Sequence, residues 1–167
     1  MKYFAYGSNM SSLRLRERVP GAEALGACVL KAHDLRFHKV GQDGSGKCDA
    51  FHTNNPADFV VGVLYEIDHF EKAGLDKVEG LGQGYNEKTV KLLNALGAEV
   101  TAFTYYATAT DQFLRPFSWY LQHVLVGATE ASLQQGYIMK IEAVECMEDP
   151  DKQRDARQRA IYRENLA

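Results

Sequence analysis

The segment at residues 59–67 constrains the fold more than any other part of this sequence. It reads Phe-Val-Val-Gly-Val-Leu-Tyr-Glu-Ile, so β-branched and aromatic side chains fill most of its positions. A strand that is apolar at nearly every position is typical of one with neighbours on both sides. The sequence therefore predicts β-structure in which this strand is central.

Shorter strand patterns lie on both sides of this segment. Strands are predicted at residues 2–6, 27–30, 35–39, 49–53, 85–93 and 99–107. The link at residues 95–97 suits a hairpin between the last two. Three later helices are predicted. The first opens with Pro116 as its first helical residue, the second includes residues 138–144, and the third starts at Asp149. Because strands dominate the first two thirds of the chain and helices the last third, the fold class is predicted to be α+β.

The composition is that of one globular domain, residues 1–167, able to bury a core without a disulfide or a structural metal. The net charge is −3 and no basic stripe contains interleaved aromatic residues, so we expect no nucleic-acid partner. Three widely spaced cysteines indicate reduced thiols. No apolar run has the length of a signal peptide or a membrane span, so we expect a cytoplasmic protein without a membrane partner. The sequence leaves open whether the protein forms a homodimer.

Two short motifs combine polar groups with helix ends. Residues 6–9, Tyr-Gly-Ser-Asn, join a strand to a helix, where unpaired N–H groups suit a carboxylate or a carbonyl oxygen. A simple helix cap explains them equally well. Glu79 ends a helix that Asp68 and Glu71 are predicted to begin as a capping box, and Gly80 stops it. The helix dipole and burial would both disfavour ionised Glu79, as suits a general base, although an exposed glutamate has the same pattern.

Two other patterns are less informative. Tyr120 lies on the apolar face of the helix after Pro116, where core packing also explains it. Residues 41–48 nearly match the phosphate-loop pattern G-x-x-x-x-G-K-[ST], but Cys48 replaces the hydroxyl and a strand-like segment follows where a helix must begin. The histidines match no H-E-x-x-H pattern. We therefore expect neither a nucleotide nor a metal cofactor.

Taken together, four segments resemble the γ-glutamylcyclotransferase family. Residues 3–10, Tyr-Phe-Ala-Tyr-Gly-Ser-Asn-Met, look like the family's opening, and residues 61–65 resemble its central strand. The pattern Leu-Asp-x-x-Glu-Gly at residues 75–80 is similar to the segment with its catalytic glutamate. Residues 116–128 resemble its late tyrosine helix. The matches keep the family's order along the chain.

The resemblance implies a small mixed β-barrel flanked by helices, with Glu79 as the acid/base and no cofactor. It implies a binding site for the γ-glutamyl moiety formed by Tyr3, Ala5, Tyr6, Gly7, Ser8, Asn9, Tyr85 and Tyr120. Two departures concern the surroundings of Tyr85. The glycine-rich segment before it is one residue tighter than a common family form, and Glu87 replaces a basic residue of some bacterial members.

The implied reaction releases 5-oxoproline and a free amine or amino acid from a small γ-glutamyl compound. The substrate's own α-amino group attacks the γ-carbonyl, and Glu79 moves the protons. Main-chain N–H groups near Gly7 and Ser8 would stabilise the oxyanion. The alternative is a non-catalytic ligand-binding or interaction domain on the same fold, which would not need the carboxylate. The sequence leaves open whether an amino acid, glutathione or an amine derivative is preferred.

Overall fold

The predicted central strand lies in a closed barrel of five strands. The computed structural model describes residues 1–163; residues 164–167 of the predicted domain lie outside the described residues. The strands are β1 (Lys2–Ala5), β2 (Glu23–Lys31), β3 (His33–Val40), β4 (Gly46–His52), β5 (Phe59–Glu66), β6 (Tyr85–Asn94) and β7 (Glu99–Ala107). The barrel order is β1-β5-β2-β6-β7, and β3 and β4 form a separate two-stranded sheet. Because β1 runs parallel to β7 while the other pairs are antiparallel, the barrel is mixed.

Within residues 1–163, five helices flank the barrel, and a 3₁₀ turn, Ser8–Met10, follows β1. The helices are α1 (Ser12–Arg16), α2 (Lys72–Glu79), α3 (Ser118–Glu130), α4 (Gln135–Glu142) and α5 (Lys152–Ala160). None of the helices within residues 1–163 is long and apolar enough to cross a membrane. The predicted α+β class, with a small mixed barrel flanked by helices, is confirmed.

Strand β5 is central because it pairs with two strands and buries most of its side chains. Tyr3 of β1 lies opposite Tyr65, and Val29 of β2 lies opposite Val61. The side chains of Val60, Val63, Leu64 and Tyr65 are buried. Burial of this apolar surface is the main stabilising contribution of the strand. The same pairing fixes where β1 ends, and therefore where the 3₁₀ turn begins.

The β3–β4 sheet is attached to the barrel through main-chain and side-chain hydrogen bonds. Val40 N–H donates to the carbonyl of Ala109, and the Asp49 carboxylate accepts from Ala107 N–H at 2.8 Å. β4 begins at Gly46, inside the near-match at residues 41–48, so a strand stands where a phosphate loop requires a helix, as the sequence predicts. Lys47 Nζ lies 2.7 Å from an oxygen of Asp43 within that loop.

The helix starts differ from the predicted ones in three places. The capping box is wrong: α2 begins at Lys72 without a side-chain cap, and the Glu71 carboxylate accepts from Gly21 N–H at 3.0 Å instead. Pro116 precedes the N-cap of α3, which is Phe117, and is therefore not the first helical residue. Glu71 is thus bound by a residue distant in sequence, and the carbonyl of Pro116 likewise accepts a hydrogen bond from Met147 N–H.

The third difference concerns α5. Its N-cap is Asp151, whose side chain accepts from Arg154 N–H. Asp149, the predicted start, is fully buried and accepts from Trp119 Nε1 at 2.7 Å and from the Arg154 guanidinium. These bonds hold the pKa of Asp149 at about 2. Asp149 therefore anchors α5 to α3 rather than capping it.

Candidate active site

A polar cavity opens where β1 enters the 3₁₀ turn and α2 ends. It contains about 300 Å³ of empty space and is open to solvent. Its lining residues are Tyr3, Tyr6, Gly7, Ser8, Asn9, Cys48, Glu79, Tyr85, Tyr105 and Tyr120. Eight of the nine site residues predicted from the sequence therefore come together. The exception is Ala5, which packs in the hydrophobic core next to the turn.

Gly7 allows three elements to converge on this cavity. A Cβ atom at this position would lie 2.8 Å from Cys48 Cβ on β4 and 3.4 Å from the Tyr120 hydroxyl on α3. Any larger residue would force those elements away from the turn. No side chain caps the 3₁₀ turn within the described residues. The N–H groups at its start are therefore uncapped, and they belong to residues that line the cavity.

The end of α2 presents Glu79 to this turn. Leu75 is fully buried and fixes the helix against the core, while Gly80 adopts a φ of 72° and terminates it. This left-handed conformation favours glycine, which explains why a glycine directly follows Glu79 at the end of the helix. The side chain of Glu79 is 16% exposed and lines the cavity.

A small network fixes one oxygen of the Glu79 carboxylate. Oε1 accepts from Asn9 Nδ2 and from Arg18 Nη1, both at 2.9 Å. The same Arg18 nitrogen donates to Asn9 Oδ1 at 2.6 Å, and Asn9 Nδ2 also donates to the Tyr3 hydroxyl at 3.0 Å. Within residues 1–163, Oε2 makes no hydrogen bond with a protein group. The Arg18 guanidinium therefore forms an ion pair with the carboxylate, and the sequence analysis did not identify Arg18.

Five tyrosines form most of the remaining wall, and their hydroxyl groups are held by hydrogen bonds. Tyr6 donates to the carbonyl of Tyr105 at 2.7 Å, Tyr105 donates to Asp76 at 2.6 Å, and Tyr85 donates to the carbonyl of Cys48. The Tyr3 and Tyr120 hydroxyls accept from Asn9 and from Cys48 N–H. Burial raises the pKa of each of these phenols. They therefore act as neutral groups that shape the cavity.

The sequence analysis missed Cys48 and Tyr105 as lining residues. Cys48 had been noted only as a mismatch to the phosphate-loop pattern, and Tyr105 belongs to no motif; the fold of β4 and β7 around the turn brings both to the cavity. Burial raises the pKa of the Cys48 thiol to about 12, so it stays protonated near neutral pH. Within the described residues, no three His, Cys, Asp or Glu side chains come together in a way that could hold a metal ion.

Comparison with known proteins agrees with this architecture. A sequence model of the AIG2-like family matches residues 59–141. The proteins named gamma-glutamylcyclotransferase from Mus musculus and Homo sapiens are each 29% identical to this chain over 150 residues, covering 86% of this chain and 78% of the relative. A solved structure named gamma-glutamyl cyclotransferase has a TM-score of 0.85 at 26% identity, covering 96% of this chain and 98% of that one. By sequence and by fold, this chain belongs to the γ-glutamylcyclotransferase/AIG2-like family.

Proposed function

We propose that this protein is a γ-glutamylcyclotransferase that converts small γ-glutamyl compounds to 5-oxoproline and a free amine. The observation that carries the proposal is the Glu79 carboxylate, which is held by one oxygen beside the 3₁₀ turn of a small polar cavity. The activity named for the mouse and human relatives supports it. In this proposal residues 1–167 act as one domain in the cytoplasm.

The cavity suits a reaction in which the substrate supplies its own nucleophile. The α-amino group of a γ-glutamyl compound can fold back onto the γ-carbonyl carbon and close a five-membered lactam. Holding the folded conformer gives this intramolecular attack a high effective concentration. The narrow wall of tyrosines around Glu79 favours such a compact conformer over an extended one.

Glu79 transfers the protons that the reaction requires. Its free oxygen takes a proton from the attacking amine as the new C–N bond forms, and the γ-carbonyl oxygen gains negative charge. The N–H groups at the 3₁₀ turn stabilise this oxyanion. When the tetrahedral intermediate collapses, Glu79 returns the proton to the departing nitrogen and the original amide bond breaks. The carboxylate is regenerated, and no water or other reactant is consumed.

Arg18 and Asn9 act as positioning residues. Both bind the same oxygen of Glu79, so the carboxylate is oriented while its other oxygen remains free. The positive charge of Arg18 forms an ion pair with this oxygen and so helps to hold the carboxylate in place. A catalytic serine or cysteine is not needed in this scheme. Cys48 is held as a neutral thiol, and Ser8 has no hydrogen bond to a histidine within residues 1–163.

The experiment that tests the proposal measures 5-oxoproline release from γ-glutamyl-alanine, glutathione and γ-glutamyl-ε-lysine side by side. Release from at least one compound, with an equal amount of the matching amine, is the expected result. Failure to form 5-oxoproline from all three would contradict the proposal. In that case, tight binding of a γ-glutamyl ligand without turnover would instead identify a non-catalytic binding domain.

A further inference from the structure

A second, larger cavity adjoins the proposed γ-glutamyl pocket. It contains about 890 Å³ of empty space and shares four lining residues with the first cavity: Ser8, Glu79, Tyr85 and Tyr120. Its wall contains five cationic side chains, Arg14, Arg18, Lys39, Lys47 and Arg154, which we call the cationic annex. Because the two cavities meet at Glu79, a substrate whose γ-glutamyl part fills the first one extends its leaving group into the annex.

Three of the five cations already have carboxylate partners. Arg18 lies 2.9 Å from Glu79, and Lys47 lies 2.7 Å from Asp43. Arg154 binds the buried Asp149 through two nitrogen atoms, each at 2.6 Å. These pairs are electrically balanced, so they offer no net charge to a ligand.

Lys39 is the first cation without an acidic partner. The residue is only 6% exposed, and its Nζ lies 4.6 Å from the centre of the Tyr85 ring. Within residues 1–163, no carboxylate lies within 4.0 Å of this nitrogen and no protein group accepts a hydrogen bond from it. A partly buried ammonium group without a directly bound counter-ion is costly. Burial accordingly lowers the pKa of Lys39.

Arg14 is the second cation without an acidic partner. It is also 6% exposed, and its Nη1 donates to Gln158 Oε1 at 2.6 Å and contacts His123 Nε2 at 2.9 Å. Both partners are uncharged near neutral pH. Gln158 has no ionisable group, and burial lowers the pKa of His123 to about 3. The Nε atom of Arg14 is buried and has no hydrogen-bond partner. The described part of the annex therefore has two cations that no carboxylate contacts directly, although Glu79 and Asp43 act on them from a longer distance.

We propose that the cationic annex selects γ-glutamyl compounds whose leaving group carries two carboxylates, such as an acidic amino acid, with Lys39 as a specificity-determining residue. This inference rests on the proposed cyclotransferase function. Two carboxylates match, in number and sign, the two cations that no carboxylate contacts directly. Charge-assisted hydrogen bonds between ammonium or guanidinium groups and carboxylates are strong and directional. A neutral or cationic leaving group would leave both charges without a directly bound counter-ion.

The test compares γ-glutamyl-glutamate with γ-glutamyl-glutamine, which has the same shape but one carboxylate fewer. In the wild-type enzyme, kcat/KM for the glutamate compound should be higher by about 10- to 100-fold. Lys39→Met preserves the length of the side chain without its charge, and should reduce this preference by about tenfold or more, mainly through KM. Lys39→Arg should retain most of it.

Lys77→Met is the matched control, because Lys77 is exposed on α2, two residues before Glu79, and therefore does not share its face of the helix. It should keep the wild-type preference. Equal kcat/KM for the two compounds in the wild-type enzyme would overturn the inference without any variant, as would an unchanged preference in Lys39→Met. In both of those outcomes 5-oxoproline is still formed. Its absence with every compound would instead contradict the proposed function, and the inference with it.

Discussion

At the scale of single residues, the two oxygens of Glu79 have different environments. Oε1 is held by Asn9 and Arg18, while Oε2 makes no protein hydrogen bond within residues 1–163. An oriented carboxylate with one free oxygen can accept a proton from a nearby amine and return it to another. The account therefore assigns the proton transfers to Glu79 and the orientation of Glu79 to its two neighbours.

Glu79→Gln tests this assignment because glutamine keeps the shape of the side chain but cannot take up a proton. We expect kcat to fall about 10²- to 10⁴-fold, which corresponds to about 2.7–5.5 kcal/mol of activation free energy. The affinity for a γ-glutamyl ligand should change far less, because binding is assigned to the turn and the tyrosines. The measurements are the rate of 5-oxoproline release and the Kd by titration.

The control for this variant needs a glutamate outside the cavities. Asp76, one helical turn before Glu79, is unsuitable because it accepts a hydrogen bond from Tyr105, which lines the cavity. Glu142→Gln makes the same chemical change at an exposed position on α4 and should leave kcat unchanged. Near-normal turnover in Glu79→Gln, at an unchanged melting temperature, would remove Glu79 from the mechanism.

Cys48 raises the question of a thiol nucleophile, because it is the one cysteine that lines the cavity among the three in the sequence. Its pKa of about 12 leaves almost no thiolate at neutral pH. We expect a variant with all three cysteines replaced by serine to keep kcat within about tenfold of the wild type. Cys48→Ala provides a second variant if the triple one is unstable. Loss of turnover in both, with folding intact, would show that the substrate amine is not the only nucleophile.

At the scale of secondary-structure elements, three helices meet at the buried His123 of α3. Its Nε2 contacts Arg14 of α1 and Gln158 of α5, and its Nδ1 lies 2.6 Å from the Tyr162 hydroxyl. Burial is the largest cause of its lowered pKa, and Arg14 is the next. The imidazole is therefore neutral in the folded protein, and the junction of α1, α3 and α5 depends on that neutral form.

This junction makes stability depend on pH in a defined direction. Between about pH 6.5 and about pH 3, the unfolded chain binds a proton at position 123 that the folded chain does not. The free energy of unfolding should therefore fall as the pH falls through this window, by about 2–3 kcal/mol between about pH 6.5 and about pH 4.5. The check is urea unfolding at several pH values; because burial also lowers the pKa of His33, the contribution of His123 is read from a comparison with a variant that lacks it.

His123→Gln is the matched variant, since it preserves hydrogen bonding but cannot titrate. Its free energy of unfolding should vary less over the same window. Asp149 does not confuse the comparison: its pKa of about 2 means that its contribution is lost only below its ordinary value of 3.8. Parallel pH profiles for the wild type and His123→Gln above about pH 4.5 would contradict the assignment of this effect to His123.

At the scale of the whole molecule, the sequence predicted what depends on local pattern. The run of β-branched residues at 59–67 predicted the central strand, and the Glu79-Gly80 pair predicted where α2 ends. Helix starts were less predictable because tertiary partners determine them, as Gly21 does for Glu71 and as Trp119 does for Asp149. The helix propensity of a segment does not depend on residues distant in sequence, so it cannot predict such partners.

In the candidate site, too, some residues were predicted from the sequence and others were determined by long-range contacts. The turn after β1 and Glu79 were identified through the family resemblance, and the structure brings them together. Arg18, Cys48 and Tyr105 were missed because only the folded chain brings Arg18 to Glu79 and the other two to the cavity; Arg18 lies 61 residues from Glu79 in sequence. The charge pattern of the annex was also hidden, since its five cations lie on four separate segments. A site of this kind is assembled by long-range contacts, which single-sequence patterns do not describe.

The central claim is that the substrate's own α-amino group, and not water, cleaves the γ-glutamyl bond. The most direct measurement follows the products of γ-glutamyl-alanine and of its N-acetyl derivative in water labelled with heavy oxygen. The account predicts unlabelled 5-oxoproline and an equal amount of alanine from the first compound, and no turnover of the second, whose amine is blocked. Labelled glutamate from the first compound, or alanine release from the second, would contradict it.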